Sequence, residues 1–299
     1  MNSFQKLNMR DQLFATDLIL NRDRSVYHLH LREEHIADHV IVVGDLGRVA
    51  QISKHFDAIE FQIQNREFIT HTGRLGNNRI TVLSTGIGTD NVDIVINELD
   101  AAINIDMETR LPKTEQRKLN IIRIGTSGTL QEDIPVGSNV ISEFGLGLDG
   151  VMRYYDYPYD ELEHELEEKI VHHLKWQPKL ATPYVCKVSS ILFNKLRQGM
   201  TPGITATAPG FYGPQGRTLR LGPKYPDINE TLQSFAYKNY RITNFEMETS
   251  VLYGLGSMLG HECCTCCTII ANRIRKEISE NYHKDVDRLI EIVLERMFQ

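Results

Sequence analysis

Short apolar runs recur along the chain, each closing on glycine or a polar cluster and giving way to a segment whose apolar residues return at helical spacing. HVIVVG begins at His39 and runs into Asp45, Arg48 and a helical stretch. RITVLSTGIG, from Arg79, leads into TDNVDIVINELDAAI. LNIIRIGTSG closes on Gly125, Thr126, Ser127 and Gly128, and RITNFEME precedes the helical SVLYGLGSMLG. Strands alternating with helices in this way predict an α/β protein, a sheet flanked by helices. The stretch from Asn104 to Lys118 is polar and weakly patterned, and reads as a surface excursion rather than a linker. Residues 1–21 read as an appended arm, which leaves 22–299 as one domain. HKDVDRLIEIVLERMF, near the end, is amphipathic, with one face suited to cover the sheet.

The strand ECCTCCTIIANR, from Glu262, crowds four of the five cysteines into five positions. When extended, it sets Cys264, Cys266, Thr268 and Ile270 on one face and Cys263, Thr265, Cys267, Ile269 and Ala271 on the other. Both faces are small or apolar, as in a strand buried on both sides. A zinc site needs a second ligand pair, and the only other cysteine is Cys186. The run therefore reads as packing rather than a metal or redox device. Asn272 and Arg273 follow at the carboxyl end of the strand, where open α/β sheets gather their ligands.

Composition narrows the functional classes. Lys+Arg of 33 against Asp+Glu of 39 gives a net charge of −6, which supplies neither a basic field for nucleic acid nor a polybasic membrane patch. Anion recognition has to be local. The first residues lack the charged-then-apolar order of a signal peptide, and five cysteines make no disulfide framework, so a cytoplasmic setting is expected. Arg48 and Arg123 lie beside glycine turns, and Thr126 adds a hydroxyl; guanidinium, amide and hydroxyl donors suit a phosphate dianion. Glu246 and Glu248 fall on one side of an extended FEME, although either also suits the start of the next helix. A carboxylate there can accept two bonds from vicinal hydroxyls. The residues alone thus predict a phosphate site beside a polyol site.

VVGDLGR, STGIG, RIGTSGTLQ with PVGSNVIS after it, NFEMET and ANRIRKE follow one another in this order. As a set, covering the chain from about Val26 onward, they resemble the nucleoside phosphorylase family, which includes uridine phosphorylases and the hexameric bacterial purine enzymes. The resemblance implies one α/β domain around a mixed, partly barrel-like sheet, and a homohexamer assembled from dimers. It also implies reversible phosphorolysis of a nucleoside to base and pentose 1-phosphate, with inorganic phosphate as co-substrate and no cofactor or metal.

FYGPQGR resembles the uridine branch and implies a uracil pocket of Phe211, Gln215 and Arg217. A glutamine amide matches the N3–H and a carbonyl of uracil, while an arginine donates to the oxygen where charge gathers as the base leaves. By the same resemblance Gly44, Arg48, Arg123 and Thr126 bind phosphate, and Arg66 in NREF reaches it from the adjacent subunit. Met247 and Glu248, with Thr126, contact the ribose, and His28 in VYHLHL reaches a neighbour's 5′-hydroxyl. Glu246 supports the site and Arg273 closes over the base loop. Asn272 stands where purine enzymes of the family carry an aspartate.

Two departures stand out. The usual Gly-Asp-Pro is Gly44-Asp45-Leu46, and Thr89-Asp90-Asn91 replaces the small residues and proline that flank a monovalent-cation site in some relatives. The rival readings are a purine phosphorylase, a nucleosidase of the same fold and a non-catalytic nucleoside-binding protein. Three arginines around one anion argue against the nucleosidase, which uses water.

Overall fold

The computed structural model describes residues 12–299; the first eleven residues of the expected arm lie outside them. In chain order the first part comprises β1 (His39–Val43), α1 (Leu46–Ser53), β2 (Ala58–Asn65), β3 (Phe68–Leu75), β4 (Asn78–Ser84) and α2 (Thr89–Asn104). Then come β5 (Ile105–Asp106), β6 (Leu111–Pro112), β7 (Asn120–Thr129), β8 (Asn139–Gly147), α3 (Glu161–His173), β9 (Tyr184–Lys187) and α4 (Ser190–Leu196). The last part holds β10 (Thr201–Thr207), α5 (Ile228–Gln233), β11 (Ala236–Tyr237), β12 (Tyr240–Glu246), α6 (Thr249–Met258), β13 (Glu262–Asn272), β14 (Glu277–Ile278) and α7 (Tyr282–Arg296).

The main sheet runs β11-β12-β10-β8-β13-β7-β1-β4-β3-β2, with parallel and antiparallel neighbours mixed. β12 also pairs antiparallel with β7 through Asn244 and Phe245, so β12, β10, β8, β13 and β7 close on themselves as a barrel. Register shifts in β10 and β13 supply the bends that closure needs. From β7 the strands β1, β4, β3 and β2 extend as an open wing. There β1, buried along Val40–Val43, lies parallel to both β4 and β7 and brings their carboxyl ends to one side.

The cysteine strand is where the pattern placed it. β13 lies between β7 and β8, and Cys263, Cys264, Cys266 and Cys267 are all buried. Burial pushes the Cys263 and Cys264 thiols up, and Cys267 up to about 12, so these are neutral packing groups rather than thiolates. α7 buries Val286, Leu289, Ile290, Val293 and Leu294 in the same core, as its amphipathic pattern predicts.

One expectation is corrected. The cluster Gly125, Thr126, Ser127 and Gly128 does not form a closing turn: β7 continues through it to Thr129, paired with β13 along its length. Gly125 serves close approach, not a turn: a Cβ there would run into the Arg123 guanidinium and come within 2.9 Å of Cys267 Sγ.

The excursion after α2 is the small β5–β6 hairpin, and the described part of the arm runs against it. Leu13 N–H donates to Arg110 O (3.0 Å), and Arg110 Nη1 donates to Leu18 O (2.8 Å). No helix among the described residues is long and apolar enough to cross a membrane.

Candidate active site

Three strand ends and one loop build the site. β1 hands over at Gly44 to α1, whose first turn is fixed by Asp45, the residue before the helix, accepting from Gly47 N–H at 2.9 Å. That turn places Arg48 inward, 7% exposed, with Nη1 donating to Ile124 O at 3.2 Å. Arg48 makes no ion pair among the described residues, and its buried Nε has no partner. Burial and then the neighbouring Arg123 lower its pKa. The cost of such a buried cation is met only when an anion joins it. A Cβ on Gly44 would stand 3.4 Å from Gly86 O, so the β1 turn and the loop after β4 lie against each other.

Arg123 rises from mid-strand β7, not from a glycine turn as the sequence suggested. Its Nη2 pairs with Glu248 and its Nη1 lies 3.2 Å from Glu246 Oε2 and 3.3 Å from Cys267 Sγ, to which it donates. Burial opposes its charge, but the two carboxylates outweigh that and raise its pKa. Thr126, three residues on, is half-buried in the same strand.

The two glutamates divide their tasks. Glu246 caps α6: Glu248 N–H donates to it at 3.0 Å and Thr249 N–H at 3.1 Å, and Thr207 Oγ1 donates at 2.8 Å. Glu248 instead turns into the site, pairs with Arg123 and accepts from Gly88 N–H at 2.8 Å. Burial raises its pKa against the pull of Arg123, with Glu246 adding to the rise. Met247, between them, is half-buried.

The base-loop residues form a unit of their own. The Arg217 guanidinium stacks 3.7 Å from the Phe211 ring centroid, and its Nη1 donates to Phe211 O and Gln215 Oε1, both at 2.6 Å. Burial and the like charge of Arg273 lower the Arg217 pKa to about 10, which still leaves it charged at neutral pH. Gln215 is buried, and its backbone O accepts from Arg273 Nη2 at 3.1 Å and Asn229 Nδ2 at 3.2 Å. Arg273 thus ties the end of β13 to the loop.

Asn272 does not face a ligand. Its Nδ2 donates to Gln131 O and Ile134 O at 3.0 and 2.9 Å, and its Oδ1 accepts from the N–H groups of Ile274 and Arg275. All its bonding capacity is spent on turning the chain, which orients Arg273.

His28 and Arg66 stand apart from these groups but together. Asn65 Nδ2 donates to His28 O at 2.7 Å, the Arg66 guanidinium sits 5.2 Å from the Tyr27 ring centroid, and no hydrogen bond or ion pair among the described residues joins either to Arg48, Arg123 or Glu248. Sequence reasoning missed Gly88, Cys267, Asn229 and Glu98. Their partners lie 160 residues away for Gly88, 144 for Cys267, 70 for Glu98 and 14 for Asn229, and no periodic spacing links any of these pairs. No cluster of three or more His, Cys, Asp or Glu that could hold a metal ion occurs among the described residues.

A partly closed mixed sheet that gathers two buried arginines, one within β7 and one in the first turn of α1, around the carboxylate that follows β12 fits a class of enzyme that joins an anion to a sugar. The chain belongs to the Phosphorylase superfamily, whose family model matches residues 38–299. It is 30% identical to the uridine phosphorylase of Thermococcus kodakarensis over 87% of this chain and 82% of that one. It is 29% identical to the uridine phosphorylase of Haemophilus influenzae over 85% and 88%. Its fold matches the crystal structure of a Trypanosoma brucei nucleoside phosphorylase, described as showing uridine phosphorylase activity, with a TM-score of 0.86 at 27% identity, covering 94% of this chain and 99% of that one.

Proposed function

We propose that the chain catalyses the reversible phosphorolysis of uridine to uracil and ribose 1-phosphate, as a pentosyltransferase with inorganic phosphate as co-substrate and no cofactor. The observation that carries the reading is Arg48: a buried guanidinium without a carboxylate of its own, beside an arginine matched by two. Gly44, Arg48, Arg123 and Thr126 hold the phosphate. Two cations against two carboxylates leave this corner neutral within one chain, so a dianion calls for positive charge from outside it. Arg66 of an adjacent subunit supplies it, which makes a dimer the smallest active unit and suits the hexameric assembly expected of the family.

Glu248 accepts from the ribose hydroxyls, with Met247 against the sugar, Thr126 adding a hydroxyl and Glu246 fixing the start of α6 behind them. His28 of the neighbour meets the 5′-hydroxyl. A phosphate oxygen attacks C1′ as the bond to uracil N1 breaks, the electron pair stays with uracil, and N1 then takes a proton from water. Positioning and electrostatics carry the rate. Phe211 and Gln215 hold Arg217 ready, so its remaining N–H groups meet the uracil oxygen that gains charge. The Gln215 Oε1 that accepts from Arg217 has a second lone pair for the uracil N3–H. Arg273 closes the loop over the base. Five free, buried cysteines support a reducing, cytoplasmic setting.

The base assignment is tested with uridine, thymidine, inosine and adenosine, each with phosphate, by following free base. Release from uridine is expected to exceed that from either purine nucleoside. Faster cleavage of inosine or adenosine would transfer the chain to the purine branch.

A further inference from the structure

One carboxylate grips His28 at two atoms and Leu29 at a third. Glu98, on α2, lies with Oε1 2.6 Å from His28 Nδ1, and its carboxylate accepts from the backbone N–H of His28 (3.0 and 2.9 Å) and of Leu29 (2.8 Å). From the other side Asn65 Nδ2 donates to His28 O, and the Tyr27 ring meets the imidazole edge-on at 4.9 Å between centroids. A carboxylate only accepts hydrogen bonds, so Nδ1 is the protonated nitrogen and the ring cannot flip without losing that bond. Nε2, on the opposite edge of the ring, bonds no group among the described residues, and the side chain is 28% exposed. α2 begins beside Gly88, whose N–H holds Glu248, so one rigid helix anchors both the sugar carboxylate and the carboxylate behind His28.

We infer that Glu98 is a positioning residue for recognition of the nucleoside 5′-hydroxyl: by holding His28 through Nδ1–H, it presents Nε2 to the 5′-oxygen. The inference rests on the reading of His28 given under Proposed function. A loose imidazole would divide its time between orientations and tautomers, and ordering it on binding would weaken the contact. A ring already held loses little, which is what an outer carboxylate does for a histidine in other polar sites. The competing account makes Glu98 only an anchor between the 26–31 segment and α2.

The two accounts part on substrates that differ only at C5′. Uridine and 5′-deoxyuridine are compared by kcat/KM in the wild type, Glu98→Ala, Glu98→Gln, His28→Ala and the double variant Glu98→Ala/His28→Ala. The wild type is expected to prefer uridine. Glu98→Ala should cut that preference about tenfold, the scale of one lost hydrogen bond to a charged or well-oriented group. Glu98→Gln, which keeps an acceptor for part of the cluster, should retain an intermediate preference, and it serves as the measurable variant if Glu98→Ala does not fold. Because Glu98 acts through His28, the double variant should match His28→Ala in its preference. An unchanged preference in both Glu98 variants, or equal losses on the two substrates, would overturn the inference in favour of a simple anchor. Wild-type phosphorolysis of uridine in the same series keeps the failures distinct: a wild type that cleaves uridine without preferring it over 5′-deoxyuridine sinks the inference alone, whereas one that releases no uracil sinks the functional reading beneath it.

Discussion

Glu248 is asked to stay ionised while fully buried beside another carboxylate, and Arg123 is what makes that tolerable. Burial and Glu246 push its proton affinity up, Arg123 and Gly88 N–H push it down, and the balance lies above the ordinary 4.5 of a glutamate. The protonated form loses its hold on the sugar hydroxyls and its ion pair with Arg123. A raised pKa means that the proton arrives earlier as the pH falls. The profile of kcat/KM for uridine should therefore turn down on the acid side at a pH above 4.5. A profile flat to pH 4.5 or below in protein that remains folded would contradict the ribose role. At this scale the sequence was informative about identity and silent about partners. Arg48, Arg123, Glu246 and Glu248 could be singled out, but that both carboxylates converge on Arg123 depends on β7 and β12 meeting across the barrel seam, more than a hundred residues apart along the chain.

Between elements, the close contact of β7 with β13 sets the position of Arg123 in the proposed phosphate corner. Gly125 in β7 lies opposite Cys267 in β13, and the space that its missing side chain leaves is filled by the Arg123 guanidinium. Gly125→Ala should displace that guanidinium from Glu246, Glu248 and Cys267, lowering stability by about 1–3 kcal/mol as overpacking does and raising the KM for phosphate. Thermal unfolding and phosphate titration together check it; a variant with wild-type stability and phosphate KM would show that the corner relaxes freely. The alternation of strand and helix, the interior cysteine strand and the covering helix α7 were all legible, because a strand buried on both faces and an amphipathic helix each leave a periodic trace. The end of β7 was read as a turn because glycine is read first as a turn residue, and only the pairing of Gly125 with β13 reveals that here it makes room. Asn272 was misread for a related reason: a polar residue at a strand end looks like a ligand until the carbonyls of Gln131 and Ile134 are seen to claim it.

Across the whole molecule, the proposed function divides the site between two chains. Arg66 stacks near Tyr27 and His28 is held by Asn65, and no hydrogen bond or ion pair among the described residues joins either to Arg48 or Glu248. Mixing Arg66→Ala with Glu248→Ala and reassembling them should restore activity. A mixed dimer holds one site with both lesions and one with neither, so recovery should reach about a quarter of wild type, half the dimers being mixed and half their sites intact. No recovery in dimers shown to be mixed would return Arg66 to its own subunit's site. The claim beneath all of these is that phosphate, not water, takes the sugar, and phosphorus NMR of the protein with uridine and inorganic phosphate tests it most directly. The phosphate resonance should give way to that of ribose 1-phosphate, mole for mole with uracil released, and omission of phosphate should stop the release. Uracil appearing at the same rate in phosphate-free buffer, with free ribose as the other product, would contradict it.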